Sequence, residues 1–459
     1  MNGRIATLSL AAFAFAIGLA GCSSHGGSAP GLPLSAGALD RRPATSTPVQ
    51  HIVVMVQENR SFDDFFATYP GADGTTTGKT SKGKTIPLKK AHLAALDLNH
   101  MRADYLTDCD LQGSTCQMDG FDKAKINGIP APPNYAYQYA DPTEIKPYWT
   151  IASQYVLADH MFQTQGSGSF TAHQDLIAAG TKINNTQSIV DVPSNNVYWG
   201  CEAKSTTKTS LLTTKLKYLT WKGPFPCFTY PTGTLRDLLD AKGVTWRYYA
   251  PHHQGNNKTG AIWNAFDAID AVRNGPEWQT NISMPETNVF NDIANGTLAQ
   301  VSWVIPDQVD SDHPHLMNGQ YHGPEWIASV VNAIGKSAYW KTTTIVIVWD
   351  DWGGLYDHVP PAFFDNLGGL GFRVPMLVVS PYVGTGVIDH NQYEFGSIVK
   401  YMEQTFSLGT LGLTDQRARS LAGMFHYSKP PRAFSAIPSK HDANWFLHQP
   451  PDDEPVDSE

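Results

Sequence analysis

The chain has 459 residues, of which 41% are hydrophobic and 16% are charged, with a formal net charge of −9 at pH 7. This composition excludes a disordered chain, because a chain of this length and apolar content can bury large cores. The acidic balance argues against non-specific binding to nucleic acid, which requires a basic surface.

The first residues are typical of a bacterial export signal. Arg4 precedes an apolar run over residues 5–20, which is shorter than the roughly 20 residues that a membrane-spanning helix needs. Small residues then lead to Cys22, a pattern that resembles the lipobox, in which the cysteine is acylated and becomes the N-terminus. We predict a lipoprotein signal peptide over residues 1–21, with a plain signal peptide and an incidental cysteine as the alternative. No Asp follows Cys22, which predicts an exported outer-membrane lipoprotein facing the periplasm or the cell surface.

The rest of the chain is predicted to be one folded domain with short unstructured ends. Residues 22–48 are rich in Ser, Gly, Ala and Pro and predict a flexible tether. Residues 450–459 are acidic and contain Pro, so they predict a frayed tail. Four cysteines lie in the domain between them, residues 49–449, and an even number in an exported protein predicts two disulfides. The local pairing is Cys109–Cys116 and Cys201–Cys227, and the sequence leaves the other two pairings open.

Four short runs of β-branched and apolar residues predict buried strands, over residues 51–57, 301–305, 344–349 and 376–380. Their continuous apolar character indicates that both faces are covered, as in a parallel sheet between layers of helices. Helices are predicted between these runs, over residues 234–242, 324–335 and 394–406. The alternation predicts an α/β fold with a doubly wound, mostly parallel sheet and helices on both faces.

Two long segments lack this alternation of strands and helices, at about residues 68–150 and 182–232. We predict that they are irregular insertions at one edge of the sheet. At that edge they would cap the active site and shape a pocket.

Oxygen-bearing side chains follow two of the predicted strands at their carboxyl ends. Glu58 and Asn59 come after the first run, and Asp350 and Asp351 come after the third. Ligand sites in open α/β sheets lie outside the carboxyl ends of strands, and adjacent carboxylates are costly to bury without a compensating cation. These four residues predict one divalent metal ion, which could be Ca, Mg, Mn or Zn. The alternatives are a helix cap for the first pair and a solvated loop for the second.

Several hydroxyl groups precede a further helical segment, which is predicted over residues 174–179. Ser167, Ser169 and Thr171 lie where the N-terminus of a helix favours negative charge. A serine bound to a metal ion loses its proton readily and can attack phosphorus. The alternative is a helix cap, which is a common use of Ser and Thr.

Two long motifs carry a resemblance to a known family. The segments HIVVMVQENRSFDDFFATYPGADG (residues 51–74) and DDWGGLYDHVPP (residues 350–361) resemble motifs of the bacterial phospholipase C and acid phosphatase family, which shares the alkaline-phosphatase-like core. RVPMLVVSPY and the histidine-bearing SDHP also fit, so the resemblance spans most of residues 51–410. It implies an enzyme that hydrolyses phosphate esters or phospholipids.

The resemblance also implies the roles of the metal ligands and the nucleophile. Glu58, Asn59, Asp350 and Asp351 would bind the catalytic metal ion together with Ser169, which would be the nucleophile. The family often has Gly-Pro before this hydroxyl, whereas Gly168 directly precedes Ser169 here. Ser167 and Thr171 therefore remain competitors.

Histidines near the phosphate are implied in the same way. His100 and His313 lie in segments that resemble histidine-bearing stretches of the family and would be catalytic. His252, His253 and Thr171 would contact the substrate. We expect His315, His322 and His358 to be structural, with His358 bracing the loop below the metal ion.

The implied activity is a metal-dependent phosphoesterase that forms a covalent phosphoserine, with a histidine such as His313 protonating the leaving group. Trp352 follows the acidic pair where many phospholipase-like members have His, and the pair Asp350-Asp351 itself resembles the acid phosphatase branch. One alternative is a phospholipase C for choline lipids, in which aromatic residues would cage the ammonium group; ordinary packing also explains these residues, Tyr135, Tyr137, Tyr139, Tyr148 and Trp149. Another alternative is a surface-anchored binding protein on an inactive scaffold.

Overall fold

The computed structural model describes residues 47–194, 199–252, 261–315 and 321–450. The predicted signal peptide, Cys22, most of the tether, His253 and nearly all of the acidic tail lie outside these ranges. Those expectations therefore stay predictions.

The described strands are, in chain order, β1 (His51–Gln57), β2 (Thr77–Lys79), β3 (Thr85–Pro87), β4 (Lys89–Ala91), β5 (Leu111–Gln112), β6 (Thr115–Cys116), β7 (Lys125–Ile126), β8 (Ile129–Pro130), β9 (Gln138–Ala140), β10 (Val156–Ala158), β11 (Met161–Thr164), β12 (Lys182–Asn184), β13 (Gln187–Val190), β14 (Ser210–Thr213), β15 (Tyr218–Leu219), β16 (Trp246–Tyr249), β17 (Ile282–Ser283), β18 (Val301–Val304), β19 (Thr343–Trp349), β20 (Leu370–Arg373), β21 (Met376–Val379), β22 (Val387–Asp389) and β23 (Tyr393–Glu394). The described α-helices are α1 (Phe62–Phe66), α2 (Arg102–Cys109), α3 (Lys146–Gln154), α4 (Ser169–Ala178), α5 (Leu235–Lys242), α6 (Asp270–Arg273), α7 (Glu277–Thr280), α8 (Asn288–Asn295), α9 (Gly323–Lys336), α10 (Phe395–Thr405), α11 (Thr414–Arg417) and α12 (Ala443–Phe446).

An eight-stranded sheet, in the order β17-β16-β18-β1-β19-β21-β10-β22, forms the centre of the structure. The first five strands in this order, β17, β16, β18, β1 and β19, run parallel to one another. Strand β21 runs antiparallel to both β19 and β10. Every residue of β18, β19 and β21 is buried. Because successive side chains of a strand point to opposite faces, both faces of this sheet are covered.

The α/β fold with a mostly parallel sheet is therefore confirmed, with one correction. The run predicted over residues 376–380 is the reversed strand β21 and not a further parallel strand. Its continuous apolar sequence reports burial on both faces, which an antiparallel strand inside the sheet experiences as well.

The three helices predicted from apolar spacing are present as α5, α9 and α10. Thr234 precedes α5 and forms a capping box with Asp237, which satisfies backbone N–H groups at the start of the helix. The fourth boundary was wrong, because α4 begins at Ser169 rather than near residue 174. Within the described ranges, no helix combines the length and apolar character needed to cross a bilayer.

The two segments without regular alternation form small sheets of their own. Residues 68–150 carry the two-stranded pairs β2–β3, β4–β9, β5–β6 and β7–β8, and residues 182–232 carry the antiparallel sheet β12-β13-β14-β15. Helix α3 starts inside the first segment, yet it contacts β10 and β21 of the main sheet. The C-terminal end of that segment therefore belongs to the core.

Both disulfides of the local pairing are present. Cys109 and Cys116 have Cα atoms 4.7 Å apart, and those of Cys201 and Cys227 are 4.5 Å apart. Each bond closes a loop in one of the two irregular segments, where short strands alone would give little stability.

Glu403 gives the fold a specific dependence on pH. Burial, and then the neighbouring Asp415, raise the pKa of Glu403 from 4.5 to about 8. The folded state holds this proton between the two values, so the free energy of unfolding falls as pH rises through that window. Gln at this position keeps an acceptor for the Leu411 N–H, which now lies 3.0 Å from the Glu403 carboxylate, but carries no charge. We expect Glu403→Gln to be more stable than the wild type at about pH 9 and to lose that advantage at about pH 5.

Thermal unfolding of both proteins at the two pH values checks this expectation. The same difference in Tm at both values would contradict it.

Candidate active site

Two parallel neighbours in the sheet bring the two acidic motifs together. Strands β1 and β19 pair with Gln57 opposite Trp349, so Glu58 and Asp350 follow at the same edge. The Asn59 N–H donates to Asp350 Oδ1 at 2.8 Å, and the Asp350 N–H donates to Gln57 O at 2.9 Å. The predicted convergence of these motifs is what the structure shows.

Tight backbone geometry holds this edge in place. Asn59 has a left-handed φ of 59°, and Gly353 has a φ of 58°. The Gly353 N–H donates to Asp351 Oδ1 at 2.7 Å, which orients that carboxylate. A Cβ atom on Gly353 would overlap the backbone oxygen of Asn59, so only glycine allows the two loops to approach this closely.

Helix α4 presents Ser169 to the acidic edge. Ser169 is the first residue of the helix, and its Oγ lies 3.2 Å from both Asn59 Oδ1 and Asp351 Oδ2. A hydroxyl has one proton and donates to one of these acceptors at a time. The unsatisfied N–H groups at the start of α4 also favour negative charge on a group bound there.

One turn along α4, His173 reaches the same cluster. Its Nε2 lies 3.2 Å from Glu58 Oε1 and 4.0 Å from Asp350 Oδ2. Ligand atoms of Glu58, His173 and Asp350 all lie within 4.8 Å of one another. Sequence reasoning missed His173, although its i, i+4 spacing from Ser169 places both side chains on one face of a helix.

The charge balance of the cluster fits a cation. Glu58, Asp350 and Asp351 are fully buried, and Asp350 Oδ2 has no hydrogen-bond partner among the described residues. Burial, and then the charge of Glu58, raise the pKa of Asp350 to about 8. A bound divalent cation would supply the compensating charge and keep these carboxylates ionised. The residues therefore suit the predicted metal ion in both ligand type and charge.

His100 lies at the acidic edge and His313 lies beside His100, each with a defined tautomer. His100 Nδ1 lies 2.6 Å from the carbonyl oxygen of Leu98 and must donate to it, so a neutral ring accepts through Nε2 from Asn59 Nδ2 at 2.8 Å. The ring of His313 lies 6.3 Å from that of His100, and its Nδ1 donates to Pro314 O at 3.0 Å. In both residues Nδ1 is committed to a backbone carbonyl oxygen, so proton exchange with a substrate would use Nε2.

The competing hydroxyls are held differently from Ser169. Ser167 Oγ donates to Asp191 Oδ1 at 2.8 Å and accepts from the Asp191 N–H at 2.8 Å. Thr171 Oγ1 lies 3.1 Å from Ser167 Oγ. Neither hydroxyl makes a hydrogen bond to the acidic motifs within the described part of the chain, which sets Ser169 apart from both.

His252 is half-buried and makes no hydrogen bond to any described residue. His253 lies outside the described residues. Their predicted contact with the substrate therefore stays a prediction.

His358 braces the site from below, as expected. Its Nδ1 lies 2.7 Å from Asp63 Oδ2, and its ring is held beside Asp357, which accepts from Arg373 Nε at 2.9 Å. Asp63 also lies 3.4 Å from Arg373. This network joins helix α1, which lies within the first motif (residues 51–74), to the end of the second motif (residues 350–361).

The aromatic residues proposed for a choline cage are largely used for packing. The Tyr148 hydroxyl donates to Asp312 Oδ2 at 2.6 Å, and the Tyr137 hydroxyl donates to Lys79 O at 2.7 Å. Both tyrosines are buried, and Trp149 Nε1 donates to Phe65 O at 3.0 Å. Packing therefore explains these three residues.

Gly353→Ala tests how much the close approach of the two loops matters. The new Cβ would push Asn59 away from Ser169, so we expect a loss of about 1–3 kcal/mol in stability and slower hydrolysis of p-nitrophenyl phosphate, a substrate of the kind that the resemblance implies. Thermal unfolding and p-nitrophenyl phosphate hydrolysis measure the two effects. Gly113→Ala is the matched control, because Gly113 has a similar φ of 65° with open space around it. Equal losses in both variants would show that only backbone strain is involved.

The chain is similar to several known proteins. The family model described as the Phosphoesterase family matches residues 49–409. A non-hemolytic phospholipase C of Burkholderia pseudomallei is 24% identical over 472 residues, which cover 87% of this chain and 62% of that protein. Phospholipase C A of Mycobacterium tuberculosis is 24% identical over 444 residues, covering 85% of this chain and 80% of that protein.

A non-hemolytic phospholipase C of Pseudomonas aeruginosa is 23% identical over 85% of this chain and 59% of its own length. The chain thus spans about three fifths of the Burkholderia and Pseudomonas relatives. Among solved structures, an alkaline phosphatase superfamily protein of Vibrio parahaemolyticus matches with a TM-score of 0.37 and 13% identity, covering 84% of this chain and 76% of that one. Because the family model covers more than three quarters of the sequence, this chain belongs to the Phosphoesterase family.

Proposed function

We propose that this protein is a metal-dependent phosphoric ester hydrolase with Ser169 as its nucleophile. The observation that carries the proposal is the position of Ser169 Oγ, 3.2 Å from both Asn59 Oδ1 and Asp351 Oδ2 at the start of α4. A nucleophilic hydroxyl is activated by a nearby group that lowers its pKa. The buried carboxylates here are suited to hold a cation, which would act in this way. Membership of the Phosphoesterase family supports the same reaction class.

Glu58, Asn59, Asp350, Asp351 and Ser169 would hold the cation, and His173 is added to them by its contact with Glu58. When bound, a divalent cation lowers the pKa of a coordinated hydroxyl and neutralises phosphate charge. The oxygen-rich set is compatible with Mg²⁺, Ca²⁺, Mn²⁺ or Zn²⁺.

The side chains themselves supply the remaining steps. Ser169 gives up its proton to water, its Oγ forms a bond to phosphorus as the bond to the leaving oxygen breaks, and protonated His313 gives its Nε2 proton to that oxygen. A second water molecule then attacks phosphorus and gives one proton to His313 Nε2. The bond from phosphorus to Ser169 Oγ breaks, Oγ takes up a proton from solvent, and phosphate is released. His100 Nε2 and Asn59 Nδ2 would donate to phosphate oxygens, and His100 does so only when it is protonated. This requirement favours mildly acidic pH.

A phospholipase C is the second candidate, because the relatives described above carry that name. The chemistry at phosphorus would be the same, and the leaving group would be a diacylglycerol instead of a small alcohol. Trp352 lies against His100 with ring centroids 6.2 Å apart, so it lies beside the proposed catalytic residues. By the family resemblance, many phospholipase-like members have His at this position.

Export is proposed with the activity. Two disulfides fit an oxidising compartment. The lipid anchor on Cys22 would keep the enzyme at the outer membrane. There it would be near phosphate esters or phospholipids, at the periplasmic face or at the cell surface.

A substrate panel with and without chelator tests the proposal. The panel contains p-nitrophenyl phosphate, bis(p-nitrophenyl) phosphate, p-nitrophenyl phosphorylcholine and phosphatidylcholine. We expect hydrolysis of at least the first substrate, its loss with chelator and its return with one divalent cation. A preference for the choline substrates would assign the phospholipase activity. No hydrolysis of any substrate, together with no uptake of metal, would support the inactive binding protein.

A further inference from the structure

A lysine-rich segment follows the disulfide cysteine Cys201. Residues 203–235 contain five lysines and no acidic residue, in a chain with a net charge of −9. All five are exposed: Lys204, Lys208, Lys215, Lys217 and Lys222. Within the described part of the chain, the last four form no ion pair with a carboxylate. These lysines make the surface of this segment locally positive, which suits a partner of opposite charge.

These lysines lie along one exposed edge. Strand β15 is the outer strand of the sheet β12-β13-β14-β15. Lys215 and Lys217 are in the turn between β14 and β15, and Lys208 and Lys222 lie at the other end of the same pair of strands. We call these four residues and Trp221 the lysine–tryptophan edge.

Trp221 is the apolar part of this edge. Its side chain is 54% exposed, and its backbone has a left-handed φ of 49°. The Trp221 N–H donates to Ser210 Oγ at 3.0 Å, so the turn that presents the indole is fixed to β14. A tryptophan held in water between lysines is typical of a surface that contacts the interface of a membrane.

The edge is joined to the loop that carries the nucleophile. Ser210 pairs with Val190 in β13, and the next residue is Asp191. Asp191 is hydrogen-bonded to Ser167, two residues before Ser169. A short series of contacts, through Ser210, Val190, Asp191 and Ser167, therefore connects Trp221 to the start of α4.

A second apolar tip is connected to the same region. Ile129, in the β7–β8 hairpin, is 69% exposed, and with Trp221 it is the most exposed large apolar side chain of the described residues. The Asn99 N–H donates to Lys125 O at 2.8 Å, which ties this hairpin to the residue before His100. Both loops that present an exposed apolar side chain, Trp221 and Ile129, are therefore connected to segments beside the site.

We infer that the lysine–tryptophan edge docks this protein on an anionic phospholipid surface. The lysines match the charge of the headgroups, while Trp221 and Ile129 would enter the boundary with the acyl chains. A soluble polyanion offers the charge but no apolar phase for these two side chains, which is why the observations favour a membrane. Docking does not require that the lipid is also the substrate.

Vesicle sedimentation with the full chain carrying Cys22→Ser tests this inference, since that change removes any acyl group at position 22. Vesicles of phosphatidylglycerol and phosphatidylcholine are compared with vesicles of phosphatidylcholine alone. We expect binding to the anionic vesicles that weakens as salt is raised. Changing Lys208, Lys215, Lys217 and Lys222 together to Gln should weaken it by about 100-fold or more. Trp221→Ser should weaken binding by about 10-fold and leave its salt dependence in place.

The matched control changes four other exposed lysines to Gln and alters the net charge equally: Lys336, Lys341, Lys429 and Lys440. It should bind anionic vesicles nearly as well as the unchanged edge. Thermal unfolding of every variant confirms folding without relying on enzyme activity, so this test stands even if no phosphate ester is hydrolysed. Equal binding to both kinds of vesicle, equal losses in the control and the edge variant, or binding to heparin without binding to vesicles would each overturn the inference.

Discussion

Replacing Ser169 with alanine is expected to lower kcat for p-nitrophenyl phosphate by about 10³-fold or more, because it removes the atom that we propose attacks phosphorus. The substitution deletes one buried hydroxyl at the first position of α4, where Ala is well tolerated, so the fold should be kept. Binding of the divalent cation should weaken and not disappear, since Glu58, Asn59, Asp350 and Asp351 remain. Steady-state kinetics and metal titration of the purified variant measure both effects.

Ser167→Ala is the control for this experiment. Ser167 is hydrogen-bonded to Asp191 and makes no described hydrogen bond to the acidic edge. Loss of its hydroxyl should therefore reduce stability and leave most of the activity. Acid quenching during turnover followed by peptide mass spectrometry should find a phosphoryl group on the peptide with Ser169 in the wild type. Near-normal kcat in Ser169→Ala, or a phosphoryl group on Ser167 or Thr171, would assign the nucleophile elsewhere.

Asp350→Asn is the second change with a large expected effect. Asp350 receives the backbone N–H groups of Asn59 and Asp351 through Oδ1, while its buried Oδ2 has no described hydrogen-bond partner. An amide keeps one acceptor for the backbone but places an NH₂ or a neutral oxygen where the cation needs a charged ligand. The loss of metal affinity should exceed the roughly 10- to 100-fold loss that is typical when a residue that only orients a metal ligand is changed. Activity should fall with it.

Calorimetric titration and the rise of Tm with added cation measure this loss, because a ligand that binds only the folded state stabilises it. Glu403→Gln is a suitable control, since it removes a buried carboxylate outside the site. Wild-type metal affinity in Asp350→Asn would exclude Asp350 as a ligand. Equal losses in the two variants would point to a general effect of replacing a buried carboxyl group and not to the loss of a metal ligand.

The central edge of the fold was predictable because two signals coincide there. The uninterrupted apolar runs that became β1 and β19 mark fully buried strands, and polar residues directly after each run mark the same edge of a parallel pair. Glu58 and Asp350 could therefore be placed together from the sequence. The even number of cysteines predicted two disulfides, whereas the sequence left their pairing open and the structure shows the local one.

Other features depend on tertiary contacts that a sequence does not display. The direction of β21 is set by the connection that precedes it, while its apolar pattern is the same in either direction. The start of α4 was placed too late, because Ser, Thr and Gly suggest a loop, whereas burial of the whole helix overrides that tendency. His173 was missed with it, since the i, i+4 relation to Ser169 exists only if the helix begins at Ser169.

The packing of the insertions also lies beyond sequence patterns. Tyr137 and Tyr148 looked available for a ligand, yet buried hydrogen bonds to Lys79 and Asp312 occupy their hydroxyls. An aromatic residue in an irregular segment has no periodicity that reports which side it faces. Only the three-dimensional contacts separate a binding cage from a core.

The most direct test of the account is the anomalous diffraction of crystals soaked in Mn²⁺, measured alongside activation of the enzyme by the same ion. We predict a peak among the oxygen atoms of Glu58, Asn59, Asp350 and Asp351, within bonding distance of Ser169 Oγ. A Mn²⁺-activated enzyme with no peak at this edge, or with its peak at another acidic group such as Glu286, Asp307 and Asp310, would contradict the account.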